Sequence, residues 1–246
     1  AIALRGEGED CQISHNEIHT TPYSAVNCGG ERMIIENNLI YDMMKELNDG
    51  GAIYCFSPID LVLRGNIVRG SSGTRAHAYY LDEQAENCVV EKNLAIDTAW
   101  PSHNHMTKNC FIRNNVFIDS GTQLLTFPRS IGMTFEKNIL IADEITFRIP
   151  VDGDIDSIMG WEYDGLSAMP NNILFSRSNR VALEERSQNG NIKSSPLEPR
   201  EGTIYTDPMF ADSESGDFAF KPGSPALKLG IEQIDVSRAG RTGSRW

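Results

Sequence analysis

The sequence predicts an all-β fold, a right-handed parallel β-helix with an irregular C-terminal tail, and three observations carry that prediction. One line recurs six times: an apolar residue, another two places on, a polar residue, one further residue, then Asn. The copies end at Asn16, Asn38, Asn66, Asn93, Asn115 and Asn138, at steps of 22, 28, 27, 22 and 23 residues. Within each copy the apolar and polar places alternate with period two. A unit this short cannot bury a hydrophobic face alone, so successive copies must stack into a solenoid.

Each position of the line has a physical role. Three places before Asn stand Ile13, Ile35, Leu63, Val90, Ile112 and Phe135, and two places before it Ser14, Glu36, Arg64, Glu91, Arg113 and Glu136. That pattern, rich in β-branched residues, is a strand with one buried face. Helical repeats are longer and have a 3.6 period, and the leucine-rich frame is missing. In a β-helix the coils lie about 4.8 Å apart. The Asn side chains then form an amide ladder at a turn, serving backbone groups that the bend leaves unpaired. The polar column alternates Glu36, Arg64, Glu91, Arg113, Glu136, which suits stacked neighbours but contributes little per exposed pair.

Cys11, Cys88 and Cys110 share one apolar position with Met33, Leu61 and Met133, while Cys28 and Cys55 fall in a second strand of their coils. Five cysteines at core positions read as small buried hydrophobes, without a disulfide framework. A Cys88–Cys110 contact between adjacent coils is conceivable. No Cys-x-x-Cys occurs, and no metal ligation is expected.

Length suits one solenoid domain over residues 1–186, with residues 187–246 packing on it or capping it. No apolar run approaches the ~20 residues of a membrane helix, and no signal segment is visible. The opening Ala-Ile-Ala-Leu, without Met and already near a repeat, suggests part of a larger chain. A net charge of −12 makes nucleic acid and acidic membranes poor partners. It also argues against a polyanionic sugar unless Ca²⁺ mediates.

The second strand of each coil carries the chemistry. Its loops vary in length, which marks a binding face. Three segments stand out: Asn48-Asp-Gly-Gly-Ala-Ile-Tyr54, Ala78-Tyr-Tyr-Leu-Asp-Glu83 and Ser102-His-Asn-His-Met106. With Ile53, Leu81 and Met106 inward, Tyr54, Tyr80, Asp82 and His105 face out. Counting back from the next Asn line puts Asn27, Cys55, Asp82 and His105 in one register. Aromatic rings pack on sugar C–H faces and polar tips orient hydroxyls. Two carboxylates on neighbouring coils suit glycosidic cleavage. Asp82 is the first candidate, with Tyr80 and Glu83 expected to raise its pKa. Asp49 is the second, placed by a Gly-Gly pair that allows close approach. A plain turn at Asp49-Gly50, a Ca²⁺ ligand or solvated carboxylate at Asp82, and turn hydrogen bonding by His103 and His105 are the simpler alternatives.

At these residues the chain resembles the pectin-lyase-like right-handed β-helix proteins. More narrowly, Asp-Gly-Gly-Ala-Ile-Tyr, Tyr-Leu-Asp-Glu and the His-x-His segment are similar to β-helix glycoside hydrolases of the xylosidase and fucosidase/xylanase type. The tail motifs Asp207-Pro-Met-Phe and Lys221-Pro-Gly-Ser-Pro-Ala-Leu also resemble that group. The resemblance implies a hydrolase with no cofactor, using Asp49 and Asp82 as catalytic acids on an oligo- or polysaccharide. Tyr54, Tyr80, Glu83, His103, His105 and Asn27 would bind the substrate, and the protein would be secreted, periplasmic or on a bacterial-type cell surface. The Tyr-Leu-Asp-Glu here departs from the commoner Tyr-Leu-Asp-Asp-Gly. Two other readings remain: a Ca²⁺-dependent polysaccharide lyase, with Arg75, Lys108 or Arg129 as base but no basic cluster on the aromatic strip, and a non-catalytic glycan-binding or adhesion solenoid.

Overall fold

The six Asn-terminated lines stack directly over one another. A computed structural model provides the structure, which describes residues 2–4, 8–71, 76–151, 160–213 and 215–241. In the sheet built by those lines, Gln12–Ser14, Ile34–Glu36, Val62–Arg64, Val89–Glu91, Phe111–Arg113 and Met133–Glu136 pair in parallel, and Leu166–Ala168 adds a seventh strand. Ile13, Ile35, Leu63, Val90, Ile112 and Phe135 are register partners, each at most 4% exposed. The fold is a parallel β-solenoid. Outside, Arg64 pairs with Glu36 at 2.7 Å and Arg113 with Glu91 at 2.8 Å.

The turn chemistry explains the Asn. The residue before each one has positive φ, from 51° at Asn114 to 62° at Gly65, a conformation that ends the strand but costs a non-glycine residue about 1–2 kcal/mol. The amide offsets this. From Asn16 to Asn138, each Asn donates its backbone N–H and its Nδ2 to the Oδ1 of the next Asn, at 2.9–3.2 Å. The ladder continues through Asn172 and closes on the Thr203 hydroxyl, which accepts both bonds and itself donates to Met169 O.

Two further walls complete each coil. One contains Val26–Glu31, Gly50–Ile59, Ala76–Asp82, Trp100–Asn104 and Thr122–Thr126. The other contains Glu17–His19, Leu39–Met43, Ile67–Ser71, Leu94–Ile96 and Val116–Ile118. The long strands Ile139–Pro150 and Ile173–Arg186 bend through both walls. On the third wall the outward column Leu39, Ile67, Leu94, Val116, Ile139 and Ile173 is buried rather than solvated. Phe210, Phe218, Ala226, Ile231, Ile234, Val236 and Ala239 cover it. The tail runs back along the solenoid: the Glu232 N–H donates to Asn114 Oδ1, and the Gly240 N–H reaches Asn37 O near the first coils. No helix among the described residues is long and apolar enough to cross a membrane.

The Cys88–Cys110 contact between adjacent coils is present, with the Cys88 N–H on Cys110 Sγ at 3.4 Å, and each thiol donates to backbone carbonyls. Cys28 and Cys55 also meet, with Sγ atoms 3.1 Å apart in the core.

Candidate functional site

The second wall places its outward side chains in two columns. One stacks Asn27, Tyr54, Tyr80, His103, Thr126, Arg148 and Glu184 as successive register partners. The next sets Phe56 beside Asp82 and, through the His105 N–H on Leu81 O, Asp82 beside His105. The single column expected from the sequence is therefore wrong. Asn27 belongs with Tyr54 and His103, and Cys55 points inward beside Cys28 and Leu81. Met106 is buried, but beyond its strand at φ 55°. The side chains of Trp100–Asn104 that turn inward are Ser102 and Asn104, joined by an Asn104 Nδ2–Ser102 Oγ bond.

Asp82 is the centre of the arrangement. Only 10% of its side chain is exposed. Tyr54 donates its phenol to Oδ2 at 2.7 Å, and His105 Nδ1 meets Oδ1 at 2.9 Å. Burial is the largest single influence on its pKa and raises it. The bonds from His105 and Tyr54, the His105 charge and the Glu83 N–H together outweigh burial, so the carboxyl lies below its usual range. The expected rise from Tyr80 and Glu83 does not occur. The cost falls on the phenols: burial and then the bond to Asp82 push Tyr54 well up, while burial and then the Asp82 and Asp49 charges do so for Tyr80.

Rings pack closely around this carboxylate. Tyr80 lies edge-on to Tyr54 at 4.9 Å, to His77 at 5.0 Å and to His103 at 4.4 Å, which leaves it only 5% exposed although it faces outward. His77 stacks on His103 at 4.5 Å, and His103 on His105 at 6.2 Å. His103 is also hydrogen-bonded to Thr126. His77, Trp100 and the exposed Phe56 belong to this surface but were not singled out from the sequence. Their signal was a ring at an outward place of a strand already marked by its neighbours.

Each partner of Asp82 lines a groove, although Asp82 itself lines neither. Tyr54 lines one of about 800 Å³ with Tyr23, Asn27 and Phe56, and His105 lines one of about 630 Å³ with Asp49, Tyr80 and Trp100. Asp49 is exposed, at φ 60°, its carbonyl accepting the Tyr23 hydroxyl at 2.9 Å. The Gly50 beside it serves internal packing: a Cβ there would come within 2.7–2.9 Å of Tyr23, Ser24 and Met44 side chains.

Arg129, Arg148 and Arg186 line the second groove as well, so basic side chains border the aromatic strip. Arg148 is paired with Glu184 at 2.7 Å. Lys108 is elsewhere, paired with Glu86 at 3.1 Å, and Arg75 lies outside the described residues.

Asp82, Glu83 and His105 each bring a ligating atom within 4.8 Å of the others. Two carboxylates and an imidazole suit a borderline transition ion at the expense of the His105–Asp82 bond. They do not suit Ca²⁺, which takes six to eight oxygens.

No protein-family model, curated protein or solved structure matches the chain.

Proposed function

We propose that this solenoid is a carbohydrate-active enzyme, a glycoside hydrolase that cleaves an oligo- or polysaccharide of plant or host origin across the Asp82 wall. The observation that carries this reading is a nearly buried carboxylate, held anionic by Tyr54 and His105, each of which lines a groove that carries rings. The two grooves give a glycan chain room to run past Tyr54 and His105. Trp100 and Phe56 offer faces for sugar rings, Tyr80 packs behind them as support, and His103, Glu83 and Asn27 offer polar groups for hydroxyls.

A depressed pKa suits the nucleophile or base of glycosidic cleavage rather than the acid, which needs a raised one. Asp82 takes the former role and Asp49, on the rim of the second groove, supplies the other carboxylate. Such an enzyme would work outside the cytoplasm, as a secreted, periplasmic or surface protein. The test is a panel of glycans assayed for reducing ends with wild type and Asp82→Asn. Turnover by wild type that the variant loses supports the reading. Binding without hydrolysis of any glycan would point to an adhesion solenoid.

Arg129, Arg148 and Arg186 favour a second reading, a polysaccharide lyase acting on a uronate. Arginine forks match carboxylates, and β-elimination would give an unsaturated product that absorbs in the ultraviolet.

A further inference from the structure

We infer that Cys28 and Cys55 form a disulfide-competent pair that joins neighbouring coils when the protein is made under oxidising conditions. They are register partners on adjacent parallel strands, both turned into the core at 2% and 0% exposure, with Sγ atoms 3.1 Å apart. Strand spacing of about 4.8 Å falls within the ~4.4–6.8 Å Cα separation that disulfides adopt, and closure to ~2.05 Å needs the sulfurs to move by about 1 Å.

The other cysteines provide an internal control. Cys88 and Cys110 also lie on adjacent coils, yet Cys88 Sγ donates to Glu86 O and Pro58 O, and Cys110 Sγ to Lys108 O and Ala85 O. Cys11 donates to Glu9 O. The Cys28 and Cys55 sulfurs hydrogen-bond each other directly, whereas the Cys88 and Cys110 sulfurs, though also close together, are engaged by those carbonyls. A bond here ties Val26–Glu31 to Gly50–Ile59 immediately beside Asn27 and Tyr54, just before the register slips between Cys28 and Gly30. It would therefore fix the strand that carries the phenol donating to Asp82.

Oxidised glutathione balances the step. One Cys thiolate attacks it and releases one glutathione thiol, and the second Cys displaces the other, so each protein thiol loses its proton and two electrons pass to the oxidant. Burial raises the Cys55 thiol, which slows exchange in the finished fold. The bond forms while the coils dock.

The experiment produces the full chain in cells with an oxidising cytoplasm and in ordinary reducing cells, alkylates both in denaturant and maps the digests. The oxidised protein is expected to show three alkylated cysteines of the five, a Cys28–Cys55 linked peptide, and a thermal midpoint roughly 5–10 °C above the reduced form. Cys55→Ser should lose both the link and the midpoint difference. Five alkylated cysteines from both sources, or a link through Cys11, Cys88 or Cys110, would overturn the inference.

Discussion

Replacing Asn93 by Ala tests what holds the coils in register. Asn93 is fully buried. Its Oδ1 accepts the Asn66 backbone N–H and Nδ2, both at 3.0 Å, while its Nδ2 donates to Leu63 O at 2.9 Å and to Asn115 Oδ1 at 3.1 Å. Alanine removes all four bonds. The Asn66 N–H is left buried without a partner, at a cost of about 1–3 kcal/mol, and the other lost bonds cost about 0.5–1.5 kcal/mol each where nothing replaces them. Asn66 Nδ2 keeps Ile35 O, and Asn115 Oδ1 keeps the residue 93 N–H, so the total falls near 3–5 kcal/mol. For a chain of this size that lowers the melting temperature by roughly 10 °C. Urea and thermal melts followed by circular dichroism measure it, with Arg64→Ala as the comparison. The Arg64–Glu36 pair is part-exposed, and such pairs contribute about 0–1 kcal/mol. If Asn93→Ala costs no more than Arg64→Ala, the amide ladder is not what closes these turns.

Three more outcomes follow from the same geometry. Gln123 is fully buried and its amide has no hydrogen-bond partner among the described residues. Gln123→Met should therefore stabilise the fold by about 1–2 kcal/mol in urea melts; a loss of stability would mean that the amide is satisfied. Tyr54→Phe removes a bond that lowers the Asp82 pKa, so under the proposed hydrolase reading the acid limb of kcat/KM should move to higher pH, and an unmoved limb would separate Asp82 from it. Because the Asp82 pKa is depressed on folding, its contribution is fully present above the unfolded value of about 3.9 and lost as pH falls through the folded value. Urea midpoints of wild type minus Asp82→Asn should be flat from neutral pH down to about 4 and shrink below it; a difference that grows on acidification would reverse the sign.

The sequence made the Asn lines legible because each copy has the same job, so its chemistry repeats at every turn. The groove wall was harder. From its outward column to the next line there are six residues after Asn27, seven after Tyr54 and eight after Tyr80, measured to Met33, Leu61 and Cys88. Counting back from the lines therefore slid Asn27 and Cys55 into the Asp82 column. The tail-covered wall did leave a trace: the residue after each Asn is apolar from Leu39 to Ile173, but polar at Glu17. An apolar outward column needs a cover, and the hydrophobic residues between Phe210 and Ala239 supply it. Asp82 was legible as a candidate, but its charge state was not. That depends on Tyr54, 28 residues earlier, and His105, 23 residues later, which only the stacking brings together. Arg129, Arg148 and Arg186 are likewise far apart in the chain and come to line one groove only through the fold.

The most direct measurement of the proposed hydrolysis is turnover by wild type and Asp82→Asn on the same glycan panel, with far-ultraviolet circular dichroism recorded on the same samples. A fall of about a thousandfold or more in kcat, with the β-solenoid spectrum retained, is the expected result. Activity within a few-fold of wild type would show that the chemistry lies elsewhere and that the clamped carboxylate is only a strut between coils.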